Sequence, residues 1–347
     1  MRKLATIRTI DEIRPIPDAD AIECAVVGGW TVVVKKGEFA PGDLAVYCEI
    51  DSWIPTALAP FLSKGQAPRD YEGVRGERLR TVKLRGQLSQ GLLLPFTAKM
   101  AIDIGAGPGA KFTDYEGTDV TELLGIVKWE APIPAQLAGE VRGAFPGFMP
   151  KTDQERIQNL SEEFKTWGDL HWEVTEKLDG SSMTVYAYDG DSGVCSRNLN
   201  LRDTESNTLW RVAHRDQILT AILDSGRDLA IQGELIGEGI QGNPYRLRGQ
   251  SFYVFDIYDI RAGHYLRPLE RQEFCENFEL LHVPIIACTA NLQDTLGIVT
   301  IDHALKFAEG KSKLHDKAER EGLVFKCIEL ELSFKAISNR FLLKGGN

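Results

Sequence analysis

Residues 1–130 alternate short apolar segments with polar turns. The segments are rich in β-branched and aromatic residues and lie at 4–13, 22–27, 30–35, 44–50, 78–84 and 91–94. Glycine, proline and aspartate separate several of them, at Gly28-Gly29, Gly37 and Pro41-Gly42-Asp43. Segments of this length and composition predict strands bounded by turns. Many short strands with long loops predict a small β-barrel of the OB type.

A different pattern begins after residue 150. Thr152 and Glu155 have the spacing of a capping box, which predicts the start of a helix with Ile157, Leu160 and Phe164 on one face. Farther along, the pattern predicts strands at 172–188, 229–236, 251–258 and 322–328, and helices near 204–224 and 300–309. This mixture is typical of an α+β domain.

The stretch between these two regions is broken by four prolines and three glycines. Neither a helix nor a strand can run through such a stretch, so we interpret it as a linker. The predicted organisation is therefore an OB-like module over residues 1–130, a linker over 131–150 and an α+β domain over 151–347.

The net charge of −10 argues against a protein that coats nucleic acid indiscriminately. Residues 64–85 are a local exception, with seven Lys and Arg against three Asp and Glu, a local charge of +4. This segment could contact nucleic acid, although a solvated loop with scattered charges explains it equally well.

Six dispersed cysteines include no C-x-x-C pair, so a structural zinc site is not expected. Most lie beside apolar residues, as buried thiols of a reducing compartment do. The N-terminus has no apolar signal segment, and no uncharged run is long enough to span a membrane. We therefore expect a cytoplasmic protein.

One short motif carries candidate chemistry. Lys177-Leu178-Asp179-Gly180 lies between two predicted strands, which is how a K-x-D-G motif presents a lysine nucleophile. The lysine amine of such a motif attacks the α-phosphorus of a nucleoside triphosphate and keeps the nucleotide as a phosphoramidate. Taken alone the motif is weak, because many proteins carry it as a solvated turn.

Further motifs follow Lys177 in a fixed order. They are Ser196-Arg197, Gly233-Glu234, Phe255-Asp256, Glu321-Gly322-Leu323-Val324-Phe325-Lys326 and Ser333-Phe334-Lys335. This order resembles the covalent nucleotidyltransferase superfamily of RNA ligases, DNA ligases and capping enzymes. The segments 29–52 and 85–91, together with 151–159, resemble the bacterial RNA ligase family typified by the Deinococcus enzyme, with its N-terminal OB module.

The resemblance implies a role for each motif. Lys177 would be the nucleophile, Glu234 and Glu321 the ligands of Mg²⁺ or Mn²⁺, and Phe255 the ring that stacks on adenine. Contacts to the nucleotide would come from Glu176, Asp179, Gly180, Arg197, Glu234, Phe255, Lys326 and Lys335. The family's last motif commonly has two lysines, but Ile337 stands at the second position. Lys326 is therefore expected to supply the missing phosphate contact and, with Lys335, to assist catalysis.

Elementary chemistry supports the same residue types. A lysine nucleophile must be neutral although its ordinary pKa is near 10.4, so it needs burial or cationic neighbours, which Lys335 and a metal could supply. Hard oxygen ligands suit Mg²⁺ or Mn²⁺. Each residue also has an ordinary structural explanation: Phe255 could be a core residue, and Lys326 and Lys335 could be solvated edge lysines.

The sequence thus predicts an ATP-dependent RNA ligase of the RNA-repair type. It would join 3′-hydroxyl and 5′-phosphate ends, in a nicked duplex or between RNA ends, through a lysyl-AMP intermediate and an adenylylated 5′ end. We expect a monomer without a membrane partner. Two alternatives remain, a capping-type GTP nucleotidyltransferase and a non-catalytic OB-fold protein that binds nucleic acid.

Overall fold

The computed structural model describes residues 3–105, 112–130 and 140–344. The chain forms two compact units, Met1–Pro132 and Ile133–Asn347. The residue limits of the predicted domains stay predictions, and residues 131–139 of the predicted linker lie outside the described residues.

The first unit consists mainly of short strands. They are β1 (Ala5–Thr9), β2 (Glu12–Pro15), β3 (Ile22–Val27), β4 (Trp30–Lys35), β5 (Leu44–Cys48), β6 (Ser52–Pro55), β7 (Arg69–Tyr71), β8 (Val74–Arg78), β9 (Val82–Leu84), β10 (Gln87–Ser89), β11 (Leu92–Pro95) and β12 (Val127–Lys128). A short helix, α1, spans Ala98–Asp103. The strands form sheets in the orders β1-β5-β11, β2-β3-β4 and β12-β6-β8-β7, and β9 pairs with β10.

The alternating sequence pattern of the first unit explains its packing. In β4, Trp30, Val32 and Val34 are buried and the intervening residues are less so, as the period of two in a strand requires. Ile7 and Val46, from paired strands, lie in the hydrophobic core of the unit. The predicted strands at 22–27 and 30–35 coincide with β3 and β4.

The second unit contains longer strands and most of the helices. The strands are β13 (Val141–Ala144), β14 (Glu155–Arg156), β15 (His171–Lys177), β16 (Ser181–Tyr188), β17 (Asp191–Cys195), β18 (Leu199–Leu201), β19 (Leu229–Gly237), β20 (Gln250–Asp259), β21 (His264–Tyr265), β22 (Ile285–Asn291), β23 (Gly322–Cys327) and β24 (Ser333–Ile337). The helices are α2 (Ser161–Phe164), α3 (Thr208–Arg215), α4 (Ile218–Asp224), α5 (Pro268–Asn277), α6 (Ile301–Ala308) and α7 (Asn339–Leu343).

These strands form two sheets. The larger has the order β13-β18-β17-β16-β19-β20-β21, and one of its faces packs against α3, α4 and α5 around a core that includes Val185, Ile222 and Ile231. The smaller has the order β14-β24-β23-β15-β22. The K-x-D-G segment leads from β15 in the smaller sheet to β16 in the larger one, so Lys177 lies where the two sheets are joined.

The smaller sheet has one apolar and one charged face. Trp172, Leu323 and Phe334 belong to the hydrophobic core on the first face, where α6 also packs. Neighbouring residues in a strand point to opposite sides, and directly paired residues share a side. The register pairs Glu173 with Lys326 and Val324 with Lys335, so Glu173, Lys177, Lys326 and Lys335 project from the second face.

The predicted helix that begins near Thr152 is wrong. The chain instead forms β14, a 3₁₀ turn at Ile157–Asn159 and the short helix α2. The Thr152 hydroxyl bonds that of Ser182 at 3.0 Å, and a Glu155 carboxylate oxygen accepts a bond from Asn159 at 2.7 Å. The Thr152 side chain is therefore committed to a tertiary contact and the Glu155 side chain to a local one, and β14 pairs in parallel with β24.

The structure describes all six cysteines as free thiols, five buried and Cys288 exposed. No helix within the described ranges is long and apolar enough to cross a membrane.

Candidate active site

Lys177 is the last residue of β15 and pairs with Gly322 of β23. A side chain at residue 322 would collide with the neighbouring strand, since a Cβ there would lie 2.3 Å from the carbonyl oxygen of Ala336. Gly180 is confined in the same way, with the carbonyl of Leu235 2.4 Å from an added Cβ. Gly322 is the strand partner of Lys177, and Gly180 follows Lys177 in the turn. Both glycines let the backbone next to the lysine pack closely against a neighbouring strand.

The ammonium group of Lys177 donates a hydrogen bond to Glu321 at 2.7 Å. Burial favours the neutral amine, but the carboxylates of Glu321, Glu234 and Asp179 outweigh burial and raise the pKa of Lys177. We expected burial or cationic neighbours, Lys335 and a metal, to lower this pKa. The described residues instead surround Lys177 with negative charge, which keeps it protonated until something neutralises the carboxylates.

The carboxyl groups around Lys177 are crowded. Burial, reinforced by the charges of Glu321 and Asp179, raises the pKa of Glu234 to about 8. Burial and the charge of Glu321 raise the pKa of Asp179 to about 7. Such crowding costs free energy that a divalent cation would relieve, and hard carboxylate oxygens suit Mg²⁺ or Mn²⁺. Glu234 and Glu321 therefore fit a metal that also binds substrate phosphates.

No group of three or more His, Cys, Asp and Glu side chains is arranged to hold a metal within the described ranges. This agrees with Mg²⁺ sites of the kind that use one or two carboxylates and complete their coordination with water and nucleotide phosphates.

Two predicted phosphate-binding residues meet at a third residue that sequence reasoning missed. The Lys335 ammonium lies 2.8 Å from one carboxylate oxygen of Asp153, and Arg197 lies 3.5 Å from the other. Lys335 is buried and Arg197 is half exposed. The sequence pattern assigned no role to Asp153, and only its tertiary contacts reveal that it gathers the two cations.

Lys326 belongs to a different cluster. Its ammonium pairs with Asp256 at 2.8 Å and donates to the backbone carbonyl of Phe255. Arg271 of α5 pairs with Glu173 and lies 3.6 Å from Asp256. Burial and the neighbouring Arg271 lower the pKa of Lys326 to about 8. The sequence contained no signal for Arg271, which is far away in the chain and lies on a helix.

Phe255 is partly buried and packs beside Leu178, Ile236 and Tyr245. This cluster adjoins the K-x-D-G turn, so part of the ring remains available next to the candidate nucleophile. The core interpretation and the adenine-stacking interpretation of Phe255 are therefore compatible.

Glu176 lies apart from the other predicted residues. Its side chain projects from the apolar face of the smaller sheet and accepts a hydrogen bond from the backbone of Lys313 at 2.7 Å. Burial raises its pKa. The structure thus brings Lys177, Asp179, Glu234 and Glu321 into one cluster, Lys335 and Arg197 into a second and Lys326 and Phe255 into a third.

A lysine at the junction of two sheets, beside metal-compatible carboxylates, defines the class of covalent nucleotidyltransferases. The comparisons with known proteins identify the family. The RNA ligase family profile matches residues 170–344, and an OB-fold domain profile matches residues 4–96. No curated protein matches the chain.

Solved structures agree over the full length. The chain is 48% identical to an apo aspartate-to-alanine mutant of Naegleria gruberi RNA ligase, with a TM-score of 0.89 and coverage of 99% of this chain and 98% of that one. It is 49% identical, with a TM-score of 0.88, to the same ligase as a lysine-to-alanine mutant with ATP and Mn, where 99% of each chain is covered. A structure of that ligase with PPi matches equally well, at 49% identity and a TM-score of 0.88 over 100% of this chain and 99% of that one.

The chain belongs to the RNA ligase family. The predicted function, an ATP-dependent RNA ligase, is confirmed, as is the predicted order of an OB-fold domain followed by an α+β nucleotidyltransferase domain. Its substrate is nucleic acid.

Proposed function

We propose that Lys177 is the nucleophile of this ligase. The observation that carries the proposal is the partly buried Lys177–Glu321 pair within a cluster that has more carboxyl groups than cations. In the first step, the neutral amine attacks the α-phosphorus of ATP. A P–N bond forms, the α–β bridging P–O bond breaks, pyrophosphate leaves and the amine loses its proton.

The next two steps return the enzyme to its starting state. A 5′-phosphate oxygen of the RNA attacks the phosphorus of lysyl-AMP, so the P–N bond breaks and Lys177 recovers a proton. A 3′-hydroxyl then attacks the activated 5′-phosphate, and AMP leaves as the phosphodiester forms. The proposed substrates are 3′-hydroxyl and 5′-phosphate ends, in a nicked duplex or between RNA ends.

Glu234 and Glu321 would hold Mg²⁺ or Mn²⁺, as Mn accompanies ATP in the Naegleria gruberi structure. The metal would supply positive charge next to the nucleophile and the phosphates. Because the carboxylates of these residues raise the pKa of Lys177, their neutralisation favours the neutral amine. Asp179 and Gly180, in the turn that follows Lys177, would contact the nucleotide next to these carboxylates.

Lys335 and Arg197 would contact the triphosphate and the phosphate or ribose of the substrate, with Asp153 holding both cations in place until the nucleotide binds. Lys335 projects from the same sheet face as Lys177, two strands away, so about 10 Å separates their backbones laterally. A triphosphate can bridge such a gap. Lys335 would therefore act on the leaving phosphates.

The contacts of Lys326 favour a supporting role over direct phosphate binding. Its bonds to Asp256 and to the carbonyl of Phe255 would hold the aromatic ring that stacks on adenine. Glu176, through the backbone of Lys313, would fix the segment that leads to Glu321.

The OB-fold domain would contact the RNA through the basic residues of segment 64–85 that lack acidic partners. Arg69, Arg75 and Arg78 pair with Glu77, Asp70 and Asp51 respectively. Lys64, Arg80, Lys83 and Arg85 are exposed and have no such partner in the described part of the chain. We also propose that the ligase acts as a monomer in the cytoplasm.

A labelling experiment tests the nucleophile. The protein is incubated with α-labelled ATP or GTP and Mn²⁺, and acid-labile label on the protein is measured. We expect label from ATP, its loss in Lys177→Ala and its retention in Lys165→Ala, which removes an exposed lysine paired with Glu162. Label that survives Lys177→Ala would contradict the assignment, and a preference for GTP would indicate a capping-type enzyme.

A further inference from the structure

A loop of twelve residues, 238–249, connects β19 and β20 and lies against the nucleophile turn. Two hydrogen bonds close its base: the Glu238 amide donates to the Gly249 carbonyl, and the Gln250 side chain donates to the Glu238 carbonyl, both at 2.8 Å. The loop is therefore a structured element between two long strands and not an open connection.

The inner side of the loop contacts the turn after Lys177. The hydroxyl of Tyr245, a residue only 3% exposed, accepts a hydrogen bond from the Asp179 amide at 2.6 Å. The Tyr245 ring packs with Leu178, and Gln241 donates to the Gly180 carbonyl at 3.4 Å. Residues 178–180 are thus held between this loop and β19.

The loop also has a defined internal shape. Asn243 bonds the backbone of Leu247 twice, as a donor at 2.9 Å and as an acceptor at 3.1 Å. Gln241, Asn243 and Arg246 have left-handed backbone conformations with φ between 45° and 53°. Such conformations cost free energy outside glycine and are typical of ligand-binding segments, where surrounding contacts maintain them.

The outer side of the loop carries unpaired positive charge. Tyr245 is buried and Leu247 partly so, whereas the alternate residues Arg246 and Arg248 are exposed. Neither guanidinium has a hydrogen-bond or ion-pair partner among the described residues. The chain has a net charge of −10. In this context two arginines one residue apart, without acidic partners and in the loop that contacts the nucleophile turn, form a local site for anions.

We propose that Arg246 and Arg248 bind backbone phosphates of the RNA strand next to the ends being joined, while Tyr245 positions the nucleophile turn. Guanidinium groups suit this ligand because their planar donors match phosphate oxygens bidentately. The contacts of the loop with residues 178–180 come from Tyr245 and Gln241 and from neither arginine, so an RNA phosphate outside the nucleotide pocket fits the arginines better than the triphosphate of ATP. This inference rests on the proposed ligase mechanism and adds a contact for the RNA.

The test separates RNA binding from adenylylation. In the double variant Arg246→Asn/Arg248→Gln, asparagine tolerates the left-handed conformation at residue 246. The matched control Arg142→Gln/Arg261→Gln removes two charges that Asp191 and Asp228 already neutralise. Transfer of AMP from ATP to the protein, without RNA, is measured alongside binding of a nicked RNA duplex across a salt series.

We expect the double variant to label as fully as the wild type but to bind RNA about tenfold or more weakly. The slope of log affinity against log salt should fall by about 1.4 to 1.8, since each lost phosphate contact removes about 0.7 to 0.9. The control should change neither quantity. Unchanged RNA binding, equal weakening in the control or a raised KM for ATP in labelling would each overturn the RNA assignment. Wild-type protein that fails to label would contradict the proposed mechanism instead.

Tyr245→Phe tests the positioning role. The change removes the acceptor of the Asp179 amide and keeps the ring, so the rate of self-adenylylation should fall about tenfold while the KM for ATP and the RNA affinity stay unchanged. The amide left without its partner should also lower the melting temperature slightly. A fall in melting temperature with normal labelling would assign Tyr245 to the core alone and overturn this part of the proposal.

Discussion

Two charged clusters lie at one face of the smaller sheet, one partly buried and one buried, and they differ in charge balance. Around Lys177, three carboxylates, those of Asp179, Glu234 and Glu321, accompany one cation, and the pKa values of Glu234 and Asp179 are raised to about 8 and about 7. Around Lys326, Glu173 and Asp256 meet the two cations Arg271 and Lys326. Burial opposes ionisation of Glu173, but Arg271 and Lys326 outweigh it and lower its pKa.

The difference distinguishes the proposed reactive site from the cluster that we propose supports it. A balanced buried cluster satisfies its own charges and gains nothing from a ligand, whereas removal of one partner leaves an uncompensated charge. The cluster around Lys177 has more carboxyl groups than cations, and a divalent metal ion can offset the negative charge that these groups carry when they ionise. Unfavourable local electrostatics of this kind are common where function requires them.

The largest expected effect on chemistry comes from Lys177→Met. Loss of the amine should abolish transfer of AMP from ATP to the protein, since no other group can form the P–N bond. The melting temperature should change little, because the thioether fills similar volume and the crowded carboxylates can take up protons. The measurement is acid-labile label beside a thermal melt. Large destabilisation together with residual label would remove the distinction between the clusters.

The balanced cluster should respond in the opposite way. Arg271→Met should cost about 3 to 5 kcal/mol of unfolding free energy, because Glu173 and Asp256 lose their buried partner. Urea unfolding measures this cost. The control Arg261→Met, which removes an exposed arginine from a pair with Asp228, should cost no more than about 1 kcal/mol. A cost for Arg271→Met as small as that of the control would refute the supporting role.

Glu234→Gln should lower the adenylylation activity without lowering the stability of the fold. It removes one of the crowded carboxylates, so the unfolding free energy should stay within about 1 kcal/mol of the wild type or rise. Adenylylation at limiting Mn²⁺ should fall at least about 10- to 100-fold, the loss typical even for groups that only orient metal ligands. A wild-type labelling rate at limiting Mn²⁺ in this variant would show that Glu234 is not a ligand.

The smallest effect on stability is expected at the exposed pair of Glu329 and His171, which serves as a reference for both clusters. Burial would raise the pKa of Glu329, but its hydrogen bonds to His171 outweigh burial and lower the pKa to about 2. A carboxylate with a lowered pKa stabilises the fold above its ordinary pKa of 4.5, and this contribution is lost as pH falls toward 2. The stability difference between wild type and Glu329→Gln, followed by acid unfolding, should be constant above pH 5 and vanish near pH 2. A difference that grows on acidification would contradict the assignment.

The sequence by itself determined the class of the protein and the candidate residues of its active site. The ordered motifs contain Lys177, Glu234, Glu321 and Lys335. The strands that carry these residues impose a local spacing, and a pattern with a period of two can be recognised within a single segment of sequence. Alternation likewise predicted β3 and β4 of the first unit.

Only the tertiary structure decided which charges meet. Asp153 joins Lys335 across 182 residues, and Arg271 reaches Glu173 across 98. The predicted helix at Thr152 failed for the same reason, because the Thr152 hydroxyl is bonded to the hydroxyl of Ser182 in β16. The sign of the pKa shift of Lys177 also depended on folding, since a pKa follows from burial and from the sum of nearby charges, and neither is a property of local sequence.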